Sequence, residues 1–307
     1  MYRSFFLALS RNQSVKRLLL ANPLSRRVVK HFVAGTKWEE ASQVVQTLLD
    51  KGMKVTVDYL GHEVHSAEEA DQVVAKYVEF LDHMKDSNFG SDVEVSVKLS
   101  ALGLGLRDGE TLAAANAGRI AEKAAEVGTT LTIDMEGLPT VKKAIRVVGV
   151  LRGQFPDLGC LLQANLRRTE EDCRALGGVG SRIRLSKGAY LPPSQASYAD
   201  KHDVNLSFIR CMKVLMEGEG LPLLATHDPV MIDIAQELAA HNNRGLEDFE
   251  YQMLYGVRTL EQERLVDLGH TVRVYIPFGE NWYSYFIQRI AERPANFFFF
   301  LRGILSR

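Results

Sequence analysis

Polar residues close short apolar runs at eight places in this chain. Asp58 ends the run at 54–58, Lys98 lies in 93–100, Asp134 and Glu136 in 129–136, and Gln163 in 158–164. Arg184 and Lys187 follow in 182–187, Thr226 and His227 close 221–226, Gln252 lies in 249–255 and Tyr275 in 271–277. Cations and amide or hydroxyl donors dominate this set, and Arg289 adds a further guanidinium. Such donors suit an anionic, phosphate-bearing cofactor and a substrate with a carboxylate. The chain contains no nucleophile elbow, P-loop or H-E-x-x-H motif. His227 beside Asp228 reads as a hydrogen-bonding residue, and no metal is expected. Near the end of the chain Tyr285 and Arg289 are four residues apart, so a helix there offers an aromatic wall and a carboxylate clamp on one face.

The elements that must position these residues follow from the spacing. The starts of the eight Val/Ile/Leu/Thr-rich runs are separated by the length of a strand, a helix and two loops. Helical patterns fill the intervals at 67–85, 112–127, 140–154, 169–175, 204–218, 229–240 and 260–267, and an eighth runs from 281 to 293 before Pro294. Asp228-Pro229 is an N-cap followed by proline at the first helical position. Eight βα units predict an α/β fold, a (βα)8 TIM-type barrel, in which polar residues at the carboxyl ends of strands converge on one face. The alternative, an open doubly wound sheet, is disfavoured: Gly103, Gly105 and Gly109 are spaced one residue too widely for the dinucleotide fingerprint.

Composition sets outer limits. With 37 Lys+Arg against 38 Asp+Glu, the 307 residues lack the basic excess of a nucleic-acid binder. Three cysteines without a C-x-x-C pair encode neither a disulfide framework nor a zinc knuckle, which fits a reducing cytoplasm. Residues 1–38 hold eight Lys and Arg, and no acidic residue. The reading is an N-terminal helical arm over 1–50, packed on the body or resting on an anionic membrane surface, followed by the barrel over 51–307.

At its motifs the sequence resembles the monofunctional bacterial proline dehydrogenases, FAD enzymes on a distorted (βα)8 barrel. The resemblance rests on Val97-Lys98-Leu99-Ser100, Ile133-Asp134-Met135-Glu136, Arg184-Leu185-Ser186-Lys187-Gly188-Ala189-Tyr190, Ala225-Thr226-His227-Asp228, Phe249-Glu250-Tyr251-Gln252-Met253-Leu254-Tyr255-Gly256 and Arg289-Ile290-Ala291-Glu292-Arg293-Pro294. It implies that Gln163, Arg184, Lys187, Gly188, Ala189, Thr226 and His227, with the Met135 backbone, hold FAD. It implies further that Lys98 and Arg289 grip the substrate carboxylate, that Leu254, Tyr275 and Tyr285 wall the ring, and that Asp134 positions Tyr275. Asp134, Arg184 and Tyr275 form the implied catalytic group. The implied reaction is hydride transfer from L-proline to the flavin N5, giving 1-pyrroline-5-carboxylate, with electrons passing to a membrane quinone. Location is then cytoplasmic, with peripheral contact on the inner face of the membrane through the basic arm and the apolar stretch 297–301.

The chain departs from the family pattern in three places. Gln288-Arg289 stands where the family has two arginines, which weakens the substrate-binding clamp. Leu60-Gly61-His62-Glu63 replaces Leu-Gly-Glu, so His62 stands where a glutamate is expected to pair with the arginine matching Arg184. Ala164-Asn165-Leu166-Arg167 replaces an aromatic-rich stretch. These departures keep open a paralogue that oxidises another amine or amino acid, and a flavin-binding scaffold without catalysis.

Overall fold

The computed structural model describes residues 29–62, 64–188 and 195–292, with side chains given as far as 287. Eight parallel strands close in sequence order into a barrel: β1 (Lys54–Tyr59), β2 (Val93–Lys98), β3 (Leu131–Asp134), β4 (Gly159–Gln163), β5 (Arg182–Ser186), β6 (Leu221–Ala225), β7 (Glu250–Leu254) and β8 (Val272–Phe278). The eight expected runs are all strands, each ending within about two residues of its expected limit. Around the barrel lie α1 (Trp38–Leu49), α2 (Ala67–Asp86), α3 (Gly109–Glu126), α4 (Leu138–Arg152), α5 (Thr169–Leu176), α6 (Lys201–Glu217), α7 (Pro229–His241), α8 (Thr259–Asp267) and α9 (Trp282–Glu292).

Alternation along the strands divides the side chains between two environments. Val55, Val57, Val95, Val97, Ile133, Leu162, Ile183, Leu185, Val274 and Ile276 point to the helices and form the continuous apolar core. Their neighbours point into the barrel, where the pairing register puts Thr56 beside Glu94, Lys98 beside Asp134, Leu161 beside Arg184, and Gln252 beside Arg273. Branched aliphatic layers usually fill such a barrel, whereas this interior is largely polar and charged. Gly159 keeps the wall open beside Thr132, with which a methyl at that position would collide.

Several helix starts are set by local chemistry. The Ser66 side chain accepts from Glu69 N at the start of α2, and Asp228 accepts from Val230 N at the start of α7 ahead of Pro229. Helix α1 buries Ala41, Val45 and Leu48 in the same core as the barrel helices, and Trp38 packs on the rings of Phe80, Phe89 and Phe278. The basic stretch 1–28 and residues 297–301 lie outside the described residues.

Candidate active site

Arg184 is buried at the centre of the barrel, and each of its five N–H groups has an acceptor. Its Nε donates to Gln252 Oε1 (2.6 Å), Nη1 to Asp134 Oδ1 (2.6 Å) and Ser96 Oγ (3.0 Å), and Nη2 to Glu94 Oε1 (2.9 Å) and Thr56 Oγ1 (3.4 Å). In this arrangement Arg184 reaches a bound molecule directly only by exchanging one of these bonds. Its guanidinium also lies 5.3 Å from the centre of the Tyr275 ring, within cation–π range. Tyr275 donates its O–H to Asp134 Oδ2 at 2.8 Å, so Asp134 joins the guanidinium to the phenol. Burial, reinforced by Asp134 and Asp58, pushes the Tyr275 phenol well above its ordinary pKa, which keeps it a donor.

Beneath this triad lies a second charged layer. Glu94 Oε2 accepts from Arg182 Nη2 at 2.6 Å, and Arg273 grips Glu250 through two bonds of 2.8 and 2.9 Å. Burial alone would raise the pKa of Glu94, but Arg273, Arg182 and Arg184 outweigh it and bring the carboxyl down to about 2. Thr56 donates to Glu94 Oε1 at 2.6 Å.

At the mouth, Lys98 Nζ donates to Asp58 Oδ2 at 2.6 Å. Burial works against the Lys98 ammonium, yet Asp58 and Asp134 together raise its pKa, so it stays charged. Lys187 bonds to Asn205 Oδ1 and Asp228 Oδ2, each at 2.6 Å. Burial would raise the Asp228 carboxyl, but Lys187 and the backbone N–H groups at the start of α7 pull it below the ordinary range. Gln163 donates to the carbonyls of Met135 (2.9 Å) and Glu136 (3.0 Å), while its buried Oε1 has no hydrogen-bond partner among the described residues. Thr226 is buried and its Oγ1 accepts from Asp228 N. His227 Nε2 accepts from Leu254 N at 2.9 Å, which puts the proton of the neutral ring on Nδ1. Gly188 has φ +93°, and a methyl there would run into the Asn165 side chain.

The expected site residues Lys98, Asp134, Met135, Gln163, Arg184, Lys187, Gly188, Thr226, His227, Leu254 and Tyr275 therefore lie on the barrel strands or just beyond their carboxyl ends. Tyr285 is half-buried on α9, which follows β8 and is tied to the loop after β1 by Asn281, whose N donates to Leu60 O and whose Nδ2 donates to Gly61 O. Gln288 and Arg289 lie on α9 with side chains outside the description, and Ala189 lies outside the described residues. His62 does not approach Arg184; it is exposed beside Glu280 at 3.8 Å. Arg184 needs no loop glutamate, because Asp134 and Glu94 already balance it. Glu94, Arg182, Glu250 and Arg273 are not among the residues expected from the polar ends of the strands. Their signal is the period-two alternation of charged with apolar residues deeper in each strand, as in Val93-Glu94-Val95, Val272-Arg273-Val274 and Phe249-Glu250-Tyr251.

Fold and mouth together define a (βα)8-barrel enzyme whose candidate site residues lie on the strands or just beyond their carboxyl ends. The chain belongs to the proline dehydrogenase family, whose model matches residues 41–300. It is 35% identical to "Proline dehydrogenase 1" of Bacillus subtilis (strain 168) over all of both chains, and 34% identical to "Proline dehydrogenase" of Deinococcus radiodurans over all of this chain and 98% of that one. Among solved structures, proline utilization A (PutA) from Bdellovibrio bacteriovorus, inactivated by N-propargylglycine, matches with a TM-score of 0.82 at 23% identity, covering 89% of this chain and 33% of its own. PutA from Corynebacterium freiburgense matches with a TM-score of 0.77 at 22% identity, covering 99% and 34%. The chain thus spans about a third of these longer proteins, and the likeness to them concerns the fold.

Proposed function

We propose that this chain is an FAD-dependent proline dehydrogenase that oxidises L-proline to 1-pyrroline-5-carboxylate. The observation that carries the reading is the Arg184–Asp134–Tyr275 array beside the Lys98 ammonium at the barrel mouth, in a chain of this family. FAD fits the residues present. Gln163 keeps an unpartnered buried oxygen, Thr226 retains a hydroxyl proton to donate, and only glycine fits at Gly188, so backbone can come close to a ligand there. Met135, Gln163, Arg184, Lys187, Gly188, Ala189, Thr226 and His227 would hold the cofactor. Bound FAD supplies the acceptor for two electrons.

The chain's own residues do the rest. Lys98 and Arg289 meet the substrate carboxylate, and Gln288 contributes a neutral and therefore weaker contact than an arginine would. Leu254, Tyr275 and Tyr285 wall the ring and exclude water. Arg184, held by Asp134 and Glu94, provides a fixed positive charge near negative charge that develops as electrons arrive. The substrate amine must lose its proton before it gives up hydride, so turnover rises with pH. A quinone takes the electrons, and the basic stretch 1–38 brings the chain to the anionic inner face of the membrane. No helix among the described residues is long and apolar enough to cross a membrane.

The test is the absorbance spectrum of the purified protein, followed without oxygen on adding L-proline and then other secondary amines. Bleaching of the flavin band by proline is the expected result. Bleaching only by another amine would replace the substrate, and protein that holds no flavin would overturn the assignment.

A further inference from the structure

Four carboxylates and four cations meet inside the barrel, and one of the carboxylates differs from the rest. Glu94, Asp134 and Glu250 each use both oxygens: Glu94 on Thr56, Arg184 and Arg182, Asp134 on Arg184 and Tyr275, and Glu250 on Arg273 and Gln252. Asp58 uses only Oδ2, on Lys98. Its Oδ1 is buried without a hydrogen-bond partner among the described residues, although the side chain is only 2% exposed. A pair kept for the fold alone would be expected to satisfy both oxygens, as the other three do. Lys98 differs in the opposite sense. Its side chain is 37% exposed, where Arg184 is 2% exposed, so the ammonium stands at the edge of the mouth with donors to spare.

We propose that Asp58 is a positioning residue for substrate selection: from the neighbouring strand it pins the Lys98 ammonium where an incoming carboxylate is read. The inference rests on the proposed oxidation of proline and adds a residue to it. A lysine head on four methylenes is a mobile point charge, whereas a guanidinium has a rigid fork. Fixing that head needs an anchor on a rigid element, and Asp58 on β1 is that anchor. Because Asp58 neutralises part of the Lys98 charge, its removal has two opposed effects. Positional order falls, while the free charge on the ammonium rises. Order prevails, because Asp134 still faces Lys98 and limits the gain in free charge.

Five forms of the FAD-loaded enzyme test this: wild type, Asp58→Asn, Asp58→Glu, Lys98→Gln, and the double variant Asp58→Asn/Lys98→Gln. Each is given proline and pyrrolidine, the same ring without its carboxylate. A binding titration of tetrahydrofuran-2-carboxylate, followed by the flavin spectrum, gives a readout independent of turnover. In Asp58→Asn the ratio of kcat/KM for proline to that for pyrrolidine falls about tenfold, the scale of a weakened charged hydrogen bond, through KM more than kcat. The ring carboxylate binds more weakly by a similar factor, and Asp58→Glu restores part of the loss. In the Lys98→Gln background Asp58→Asn adds nothing. This double variant also guards against misfolding, since it leaves no lone buried charge. Equal losses on both amines, or an added loss in the Lys98→Gln background, would overturn the inference while leaving proline oxidation in place. Wild-type flavin that proline does not bleach would overturn both.

Discussion

Tyr275 shows how much of the site depends on single contacts. Its hydroxyl is a phenol at every physiological pH and has one acceptor, Asp134 Oδ2, at 2.8 Å. Tyr275→Phe keeps the ring and its place near Arg184 but strips Asp134 of a donor in a buried site. Leaving such an oxygen unpaired costs about 1–3 kcal/mol, so denaturant unfolding should show a stability loss of that size. If Asp134 positions the phenol against the substrate, kcat/KM for proline also falls, by about tenfold for each 1.4 kcal/mol lost from the transition state. An unchanged stability together with unchanged kinetics would show that this hydrogen bond is dispensable. At this scale the sequence was legible where a polar residue ended an apolar run: Asp58, Lys98, Asp134, Gln163 and Thr226 all lie at or just beyond the carboxyl ends of their strands. The saturation of Arg184 was not legible. It depends on Glu94, Ser96 and Gln252 arriving from strands 68 to 90 residues away in the chain, and no local pattern states which acceptors a buried guanidinium will find.

Elements hold that geometry, and α1 is the one whose contribution differs most from its appearance in the sequence. The eight basic residues of 1–38 draw attention to charge, and they hide the helical stripe Ala41, Val45 and Leu48 that follows them. The strands were readable because apolar periodicity and turn residues agree at all eight. α1 was less so, because its stripe is short and its register against the barrel depends on tertiary contacts. Ala34 N donates to Pro277 O and Gly279 N to Gly35 O, so the chain just before α1 is laced to the end of β8. Trp38 then sits among Phe80 of α2, Phe89 and Phe278 of β8, with ring centroids 5.4, 6.5 and 6.0 Å away. Trp38→Ala removes a half-buried aromatic from three neighbours and should cost about 2–4 kcal/mol, somewhat less than a fully buried ring. Proteolysis under native conditions would show whether the loss is local. Cleavage before β1 that speeds up in the variant, with the barrel intact, is expected if α1 is an added brace. Global unfolding without such a cut would mean that α1 and the barrel fold as one unit.

For the whole molecule, the consequence is a barrel filled with balanced charge: Lys98, Arg182, Arg184 and Arg273 against Asp58, Glu94, Asp134 and Glu250. Such a core gives less stability than apolar filling, and removing one partner is costly because the other charge is left buried. Acid removes partners. Glu94 titrates at about 2 in the folded chain against an ordinary 4.5, so above pH 4.5 it contributes its full stabilisation, which is lost as pH falls toward 2. The shift corresponds to stability on the order of 3 kcal/mol. Glu250, whose pKa is also lowered by Arg273 against the effect of burial, acts in the same direction, and so does Asp228 at the mouth. Asp58 acts in the opposite direction: burial raises its pKa above 3.8 despite Lys98, so its contribution is greatest in acid and is lost as pH rises through its folded value. Lowered carboxyls outnumber the raised one, and the net slope is downward in acid. Unfolding free energy measured by denaturant at pH 7, 5, 4 and 3 should therefore be nearly level to pH 5 and fall steeply below it. In Glu94→Gln the value at pH 7 is lower, because Arg182 and Arg184 lose a counter-charge, and the acid slope is shallower because the group that titrates is gone. A variant with the wild-type slope would place the acid sensitivity at carboxyls other than Glu94.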